Sequence, residues 1–288
     1  MRNATVKLIV GLLLTLGISL GAVAEPIKIG WTAWSDAEFV TKLAARLIEK
    51  RMGHEVKLIQ TDIAPQYQGL ATGSIDFMMM SWQPITHEDY MNKVGNNVVD
   101  LGILYGYARL GWVVPDYVPQ SRVNSIADLN KKSIREKLEG RITGIDPGAG
   151  LTRLSKKAVE VYGLKDYELQ ISSGAGMTAA LERAIRRNEW IVVTGWSPHW
   201  MFGAYKLRYL QDPKGVLGSY ERVHVIARRG FYQQFPKLAL MLSRMFLPID
   251  QLQHAMYDAQ QRSYEKAIDT FIKAHPHQIS YWLTGELK

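Results

Sequence analysis

Three tryptophans each come just past the end of an apolar run that reads as a β-strand. IKIG leads to Trp34, DFMMMS to Trp82 and IVVTG to Trp196. Two of these junctions echo each other, Ser81-Trp82-Gln83-Pro84 and Gly195-Trp196-Ser197-Pro198. In open α/β folds, ligands bind in the crevice outside the carboxyl ends of the strands. Three indoles converging there would form an aromatic cage. Such a cage suits a quaternary ammonium ion, whose methyl shell makes no hydrogen bonds and is held by cation–π attraction. Each indole also has a packing explanation. Trp34 would staple onto Phe39 of a following helix, and Met78, Met79 and Met80 ahead of Trp82 read as core filling. Trp31 competes with Trp34, and strand alternation sends Trp31 toward the core. Trp200, with Met201 and Phe202, reads as a local apolar cluster.

A second group of residues suits an anion. His87 lies five residues beyond Trp82, and its imidazole N–H can donate to a negatively charged group. The segment Asp146-Pro147-Gly148-Ala149-Gly150-Leu151-Thr152 follows the RITGI run and opens a helix. Its glycines let the backbone approach a ligand closely. The free N–H groups of Gly150 and Leu151, together with the helix dipole, would attract an anion. No Gly-Lys-Ser/Thr follows, so this is not a phosphate-binding loop of the Walker type, and it is not a full GxGxxG either. A carboxylate fits it better than a polyphosphate. A cage for a methylated cation beside a carboxylate site describes a trimethylated amino acid such as glycine betaine.

Alternating strands and helices must position these groups. After IKIG, Ser35-Asp36-Ala37-Glu38 has the form of a capping box, with Ser35 as N-cap, and Phe39, Val40, Leu43, Leu47 and Ile48 recur at helical spacing. VKLIQ (56–60) predicts a strand, 63–73 a helix, 75–80 a buried strand and LGWVV (110–114) an extended run ended by Pro115. A second unit follows: strands at 141–146, 167–172 and 190–195, helices at 151–162 and 177–187, and a strand at 223–229 that returns toward the first unit. From Gln234 the chain reads as mostly helical. This alternation predicts an α/β architecture with a parallel sheet.

The first 24 residues read as an export signal. Arg2 and Lys7 precede the apolar LIVGLLLTLGISL, and Ala22-Val23-Ala24 offers a small-residue cleavage site. The run is short for a bilayer span. The chain has no cysteine, so a disulfide framework, a thiolate metal site and a lipid-modified cysteine are excluded. Of the formal charge of +8, two units come from Arg2 and Lys7, and the other basic residues are scattered. That pattern argues for solvated helix faces and against nucleic-acid binding, which needs one dense stripe. No nucleophile–base pair, HExxH or cofactor fingerprint is present, so neither catalysis nor a bound cofactor or metal is expected.

The stretches GWTAWSDAEF (30–39), DFMMMSWQPITHEDY (76–90), DLGILYGYARLGWVVPDYV (100–118), ITGIDPGAGL (142–151), EWIVVTGWSPHWMF (189–202) and YLQDPKGVLG (209–218) resemble the glycine betaine-binding, OpuAC-like proteins of ABC importers. The resemblance implies a type II periplasmic-binding-protein fold, two α/β lobes with a ligand cleft at the hinge. It implies lobe 1 at 25–112 and 224–288 and lobe 2 at 113–223. It matches Trp34, Trp82 and Trp196 to the family's aromatic cage, and Gly150, Leu151 and His87 to its carboxylate site. The implied protein is a free periplasmic receptor, expected as a monomer, that captures glycine betaine or a related quaternary ammonium compound. It would deliver that ligand to an inner-membrane ABC permease. A choline- or carnitine-specific receptor is the alternative.

Overall fold

The computed structural model describes residues 25–287, and the expected export signal at 1–24 lies outside them. Strands β1 (Ile27–Trp31), β2 (Val56–Gln60), β3 (Phe77–Gln83), β4 (Val98–Pro115), β5 (Arg141–Thr143), β6 (Glu168–Gln170), β7 (Val193–Ser197), β8 (Leu207–Tyr209) and β9 (Glu221–Arg228) form a sheet ordered β2-β1-β3-β9-β4-β7-β5-β6, with β8 beside β4. β1 is parallel to both β2 and β3, and β5 is parallel to both β6 and β7. Between these parallel sets, β9 and β4 run antiparallel to their neighbours.

β4 joins the two halves. From Val98 to Ala108 it pairs with β9, and from Arg109 to Pro115 with β7 and β8. The sequence reading captured only residues 110–114 of this 18-residue strand. The earlier portion, Val98-Val99-Asp100-Leu101-Gly102-Ile103, lacks a clean two-residue alternation. The reason is a series of register shifts, between Asp100 and Gly102, Ile103 and Tyr105, and Tyr105 and Ala108. Bulges of this kind add twist and redirect side chains, which erases the period seen in sequence.

Helix α1 (Ser35–Leu47) lays Phe39, Val40, Leu43 and Leu47 into the core. Phe39 meets Phe271 of the helix Tyr264–Ala274 edge-on, with ring centroids 5.8 Å apart, so the C-terminal helices close over this half of the sheet. Helix α2 (Ile63–Thr72) stops at Gly73, whose φ of +80° is left-handed. The short α3 (Glu88–Val94) and α4 (Lys132–Lys137) precede α5 (Gly150–Val161) and α6 (Gly174–Arg187). In the second half, buried Trp112 of β4 donates its Nε1–H to Ser155 Oγ of α5 at 2.9 Å. That bond helps fix α5, and therefore where its N-terminus points.

Two local expectations are corrected. Ser35 is not the N-cap: α1 begins at Ser35, and Trp34 occupies the extended cap position with φ −105° and ψ 143°. The Trp34 carbonyl accepts the Glu38 N–H at 2.8 Å, Ser35 Oγ is buried without a partner among the described residues, and Glu38 pairs with Lys42 instead. In addition, Trp82 and Trp196 are the next-to-last residues of β3 and β7 and do not follow them. Both prolines after them are preceded by cis peptide bonds, Gln83–Pro84 and Ser197–Pro198.

Candidate ligand-binding site

One small cavity, of about 20 Å³, is lined by Trp34, Trp82, Thr86, His87, Leu110, Ile145, Ala149, Gly150, Leu151 and Trp196. All six residues singled out from the sequence lie on it. Trp34 and His87 come from the β1–β2–β3 half of the sheet, and Gly150, Leu151 and Trp196 from the other. Trp31 does not line the cavity; it is buried, and Lys42 Nζ sits 5.7 Å from its ring. Trp200 packs beside His199 and Tyr205.

The three indole N–H groups are tied to the protein, which leaves the ring faces for contact. Trp34 donates to Asp146 Oδ2 at 2.9 Å and Trp196 to Asp36 Oδ1 at 3.1 Å. Trp82 donates to the Met80 thioether at 3.1 Å. The Trp34 and Trp196 rings lie 6.3 Å apart and tilted by 60°. Two of these bonds cross between the halves of the sheet, in opposite senses. Trp34 reaches to Asp146 beyond β5, while Trp196 of β7 reaches to Asp36 in α1.

His87 is fixed by its neighbour. Its Nδ1 accepts the Trp82 main-chain N–H at 3.1 Å, and the His87 main-chain N–H donates to the Trp82 carbonyl at 3.0 Å. The edge of Tyr67 and the ring of Tyr90 pack against the imidazole, each 5.9 Å away. Burial pushes the His87 pKa down to about 3 against the pull of a hydrogen bond to the Met80 backbone, and Arg153 nearby acts in the same direction as burial. The imidazole is therefore neutral at physiological pH. With Nδ1 accepting, the proton sits on Nε2, and the ring is a neutral N–H donor.

The start of α5 supplies more donors. Ala149 is the extended cap residue, so the N–H groups of Gly150 and Leu151 belong to the first turn and have no partner within the helix. They also sit at the positive end of the helix dipole. Position 150 admits only glycine, since a Cβ there would lie 2.4 Å from the Thr86 carbonyl oxygen. The end of α5 is thus pressed against the loop that carries His87. Arg153, one turn on, donates to the Ile85 and Thr86 carbonyls at 3.2 Å each. From the other side, buried Glu221 accepts the N–H groups of Ile85 at 2.8 Å and Thr86 at 2.9 Å, and the Thr86 hydroxyl. Tyr90 OH donates to the Gly148 carbonyl at 2.8 Å.

Sequence reasoning missed Thr86, Leu110, Ile145 and Ala149 in the lining, and Asp36, Arg153 and Glu221 behind it. Ile145 and Ala149 flank residues already flagged, so adjacency would have found them. Asp36 sat inside the supposed capping box, a local role that hid its reach to Trp196. Glu221 lies 135 positions from Thr86, and no local pattern links them. Among the described residues no cluster of three or more His, Cys, Asp or Glu could hold a metal ion, and no helix is long and apolar enough to cross a membrane.

Residues 25–274 match the model of a family described as the substrate-binding domain of the ABC-type glycine betaine transport system. The glycine betaine/carnitine transport binding protein GbuC of Listeria monocytogenes is 37% identical over 158 residues, 54% of this chain and 53% of that relative. This match spans about half of either protein. The glycine betaine/proline betaine-binding periplasmic protein of Salmonella typhimurium is 23% identical, over 93% of this chain and 91% of its own length. Among solved structures, lactococcal OpuAC in its closed-liganded conformation with glycine betaine superposes with a TM-score of 0.82 at 35% identity. That superposition covers 90% of this chain and 100% of that one. The fold is the type II periplasmic-binding-protein fold, α/β with a ligand cleft between two lobes. The chain belongs to the family of substrate-binding domains of ABC-type glycine betaine transport systems, and it is a transport receptor, not an enzyme.

Proposed function

We propose that this cavity captures glycine betaine, with Trp34, Trp82 and Trp196 around the trimethylammonium group. His87 Nε2–H and the N–H groups of Gly150 and Leu151 take the carboxylate. The observation that carries this reading is the composition of a single cavity lining: three indoles whose N–H groups are occupied elsewhere, together with neutral donors at a helix start. Desolvated cation–π contacts reach ~2 kcal/mol each. With the donor set, and after the cost of association, they would support micromolar binding, ~8 kcal/mol. The lobes divide near the expected boundary at 112; the change of partners of β4 after Ala108 supports a hinge there. The receptor works as a monomer in the periplasm, after cleavage of its export signal, and passes its ligand to an inner-membrane ABC permease.

Titration calorimetry of the mature protein with glycine betaine, choline and carnitine tests the reading. Glycine betaine should bind with micromolar affinity and outrank choline, which has no carboxylate for the donors. An absence of both heat and thermal shift with glycine betaine would sink it. Preference for choline, undisturbed by His87→Ala, would replace it with the choline-specific alternative.

A further inference from the structure

Asp36 is completely buried, yet among the described residues no lysine, arginine or histidine pairs with it. Its partners are neutral: Tyr105 OH donates to Oδ2 at 2.8 Å and Trp196 Nε1–H to Oδ1 at 3.1 Å. A buried carboxylate without a counter-charge is costly to maintain. The other carboxylate that accepts from a cage indole, Asp146, is only half-buried.

We propose that Asp36 is a specificity and positioning residue of the cage, which through the Trp196 indole favours a positively charged headgroup over an uncharged one of the same shape. This rests on the glycine betaine reading above. A hydrogen bond from the indole N–H to an anion shifts electron density toward the ring, and the negative ring face is what attracts a cation. The cation, once bound, offsets a buried negative charge that no protein cation offsets. The same bond ties β7 to α1 across the cleft, so it also fixes where the Trp196 face lies when the lobes are together.

The surroundings of Asp36 leave it as the titrating group. Tyr105 from β4 and Tyr264 from the helix Tyr264–Ala274 bear on it, and both are pushed upward by burial and remain neutral. On its own helix, Glu38 and Lys42 pair with each other. His199, packed on Trp196, is held neutral by burial. Met80 of β3 brings only a thioether to Tyr105. Burial raises the Asp36 pKa to about 6 against the pull of Tyr105, Trp196 and the main-chain N–H groups of Asp36 and Ala37 at the helix start. The group is thus ionised at pH 7.5 and close enough to its transition to respond to a nearby cation.

The test compares glycine betaine with 3,3-dimethylbutanoate, in which carbon replaces nitrogen, on the unaltered protein and on Asp36→Asn. The asparagine can accept the Trp196 N–H and donate to the Tyr105 oxygen, so it removes the charge and keeps the bonds. At pH 7.5 glycine betaine should weaken about tenfold or more in the variant while the isostere changes by less than about threefold. Equal weakening of both ligands, or no change for glycine betaine, overturns the proposal. Should the variant fail to fold, calorimetry of the unaltered protein at pH 6 in buffers of differing ionisation enthalpy decides. Glycine betaine should release more protons than the isostere, and equal release overturns the proposal. If the unaltered protein does not bind glycine betaine at all, the functional reading fails and this inference falls with it; binding without charge selectivity sinks the inference alone.

Discussion

The two junctions Ser81-Trp82-Gln83-Pro84 and Gly195-Trp196-Ser197-Pro198 begin alike and end differently. In each, a tryptophan is the next-to-last residue of a strand, a cis proline bond follows, and a buried histidine accepts a main-chain N–H at Nδ1. In the first, the histidine comes five residues on, bonds to Trp82 itself and lines the cavity. In the second, His199 accepts from Met201 and turns its ring edge-on to Trp196, with centroids 4.5 Å apart, behind the cavity wall. The indoles diverge as well. Trp82 is anchored within its own strand, to Met80, whereas Trp196 is anchored across the cleft, to Asp36. Two similar local motifs therefore do separate work. The first brings an imidazole to the cavity wall, which the proposed reading uses as a donor to the ligand's carboxylate, and the second joins the two halves of the site.

Replacing each indole is the strongest way to break that comparison. Trp196→Ala removes a cage wall and the tether to Asp36 together, so glycine betaine affinity should fall roughly hundredfold, ~3 kcal/mol. Trp82→Ala removes a wall alone and should cost roughly tenfold, ~1.4 kcal/mol. Calorimetry on both variants checks the order. If Trp82→Ala proves as damaging as Trp196→Ala, the cross-cleft bond adds nothing.

The two histidines should act alike on stability. Burial lowers the pKa of each from 6.5 to about 3. The folded protein keeps both rings neutral while the unfolded chain takes up protons below pH 6.5. Their stabilising effect is therefore complete above pH 6.5 and is lost as pH falls toward 3, at about 2 kcal/mol per histidine by pH 5. His199→Asn retains the acceptor for the Met201 N–H and cannot titrate. Its thermal midpoint should decline less steeply than that of the unaltered protein between pH 6.5 and 5. Parallel curves would show that His199 is already protonated in the fold.

On ligand binding the same two residues should part. His87→Ala removes a donor to a charged group and should weaken glycine betaine roughly tenfold, ~1.5 kcal/mol, while leaving choline nearly unchanged. His199→Ala only loosens the backing of Trp196, so both ligands should weaken together and by less. A choline affinity that falls with His87→Ala would mean that the imidazole shapes the cage and does not serve the carboxylate.

How much of this could be read in the sequence follows from the range of each interaction. The indoles, His87 and the Gly150–Leu151 helix start were legible because each is marked by its neighbours: an apolar run, a proline, a glycine-rich turn. β2, at Val56–Gln60, was also local and was recovered to the residue. The full length of β4 was not, because its bulges break the alternation that marks a strand. Asp36, Glu221 and Arg153 were silent for a different reason. Each acts on a backbone or an indole far away in sequence, and a carboxylate at a helix start or a strand start has an ordinary local explanation. The capping-box reading of Ser35–Glu38 shows the hazard, since a satisfied local pattern concealed the longer-range role of Asp36.

Met80 offers the smallest and most pointed test of the contrast between the two anchors. A thioether is a weak acceptor, and Trp82 is also held by its main-chain bonds to His87, donating to the ring Nδ1 and accepting from the main-chain N–H. Met80→Leu nearly conserves volume in a fully packed strand, so the Trp82 ring should keep its place. Glycine betaine affinity should then change by less than about twofold, well under 1 kcal/mol. The corresponding change at the other junction, Asp36→Asn, keeps its hydrogen bonds and still should cost far more. If the leucine variant loses as much affinity as the asparagine one, what matters at both junctions is the position of the indole, and the charge beneath Trp196 has no special part in choosing the ligand.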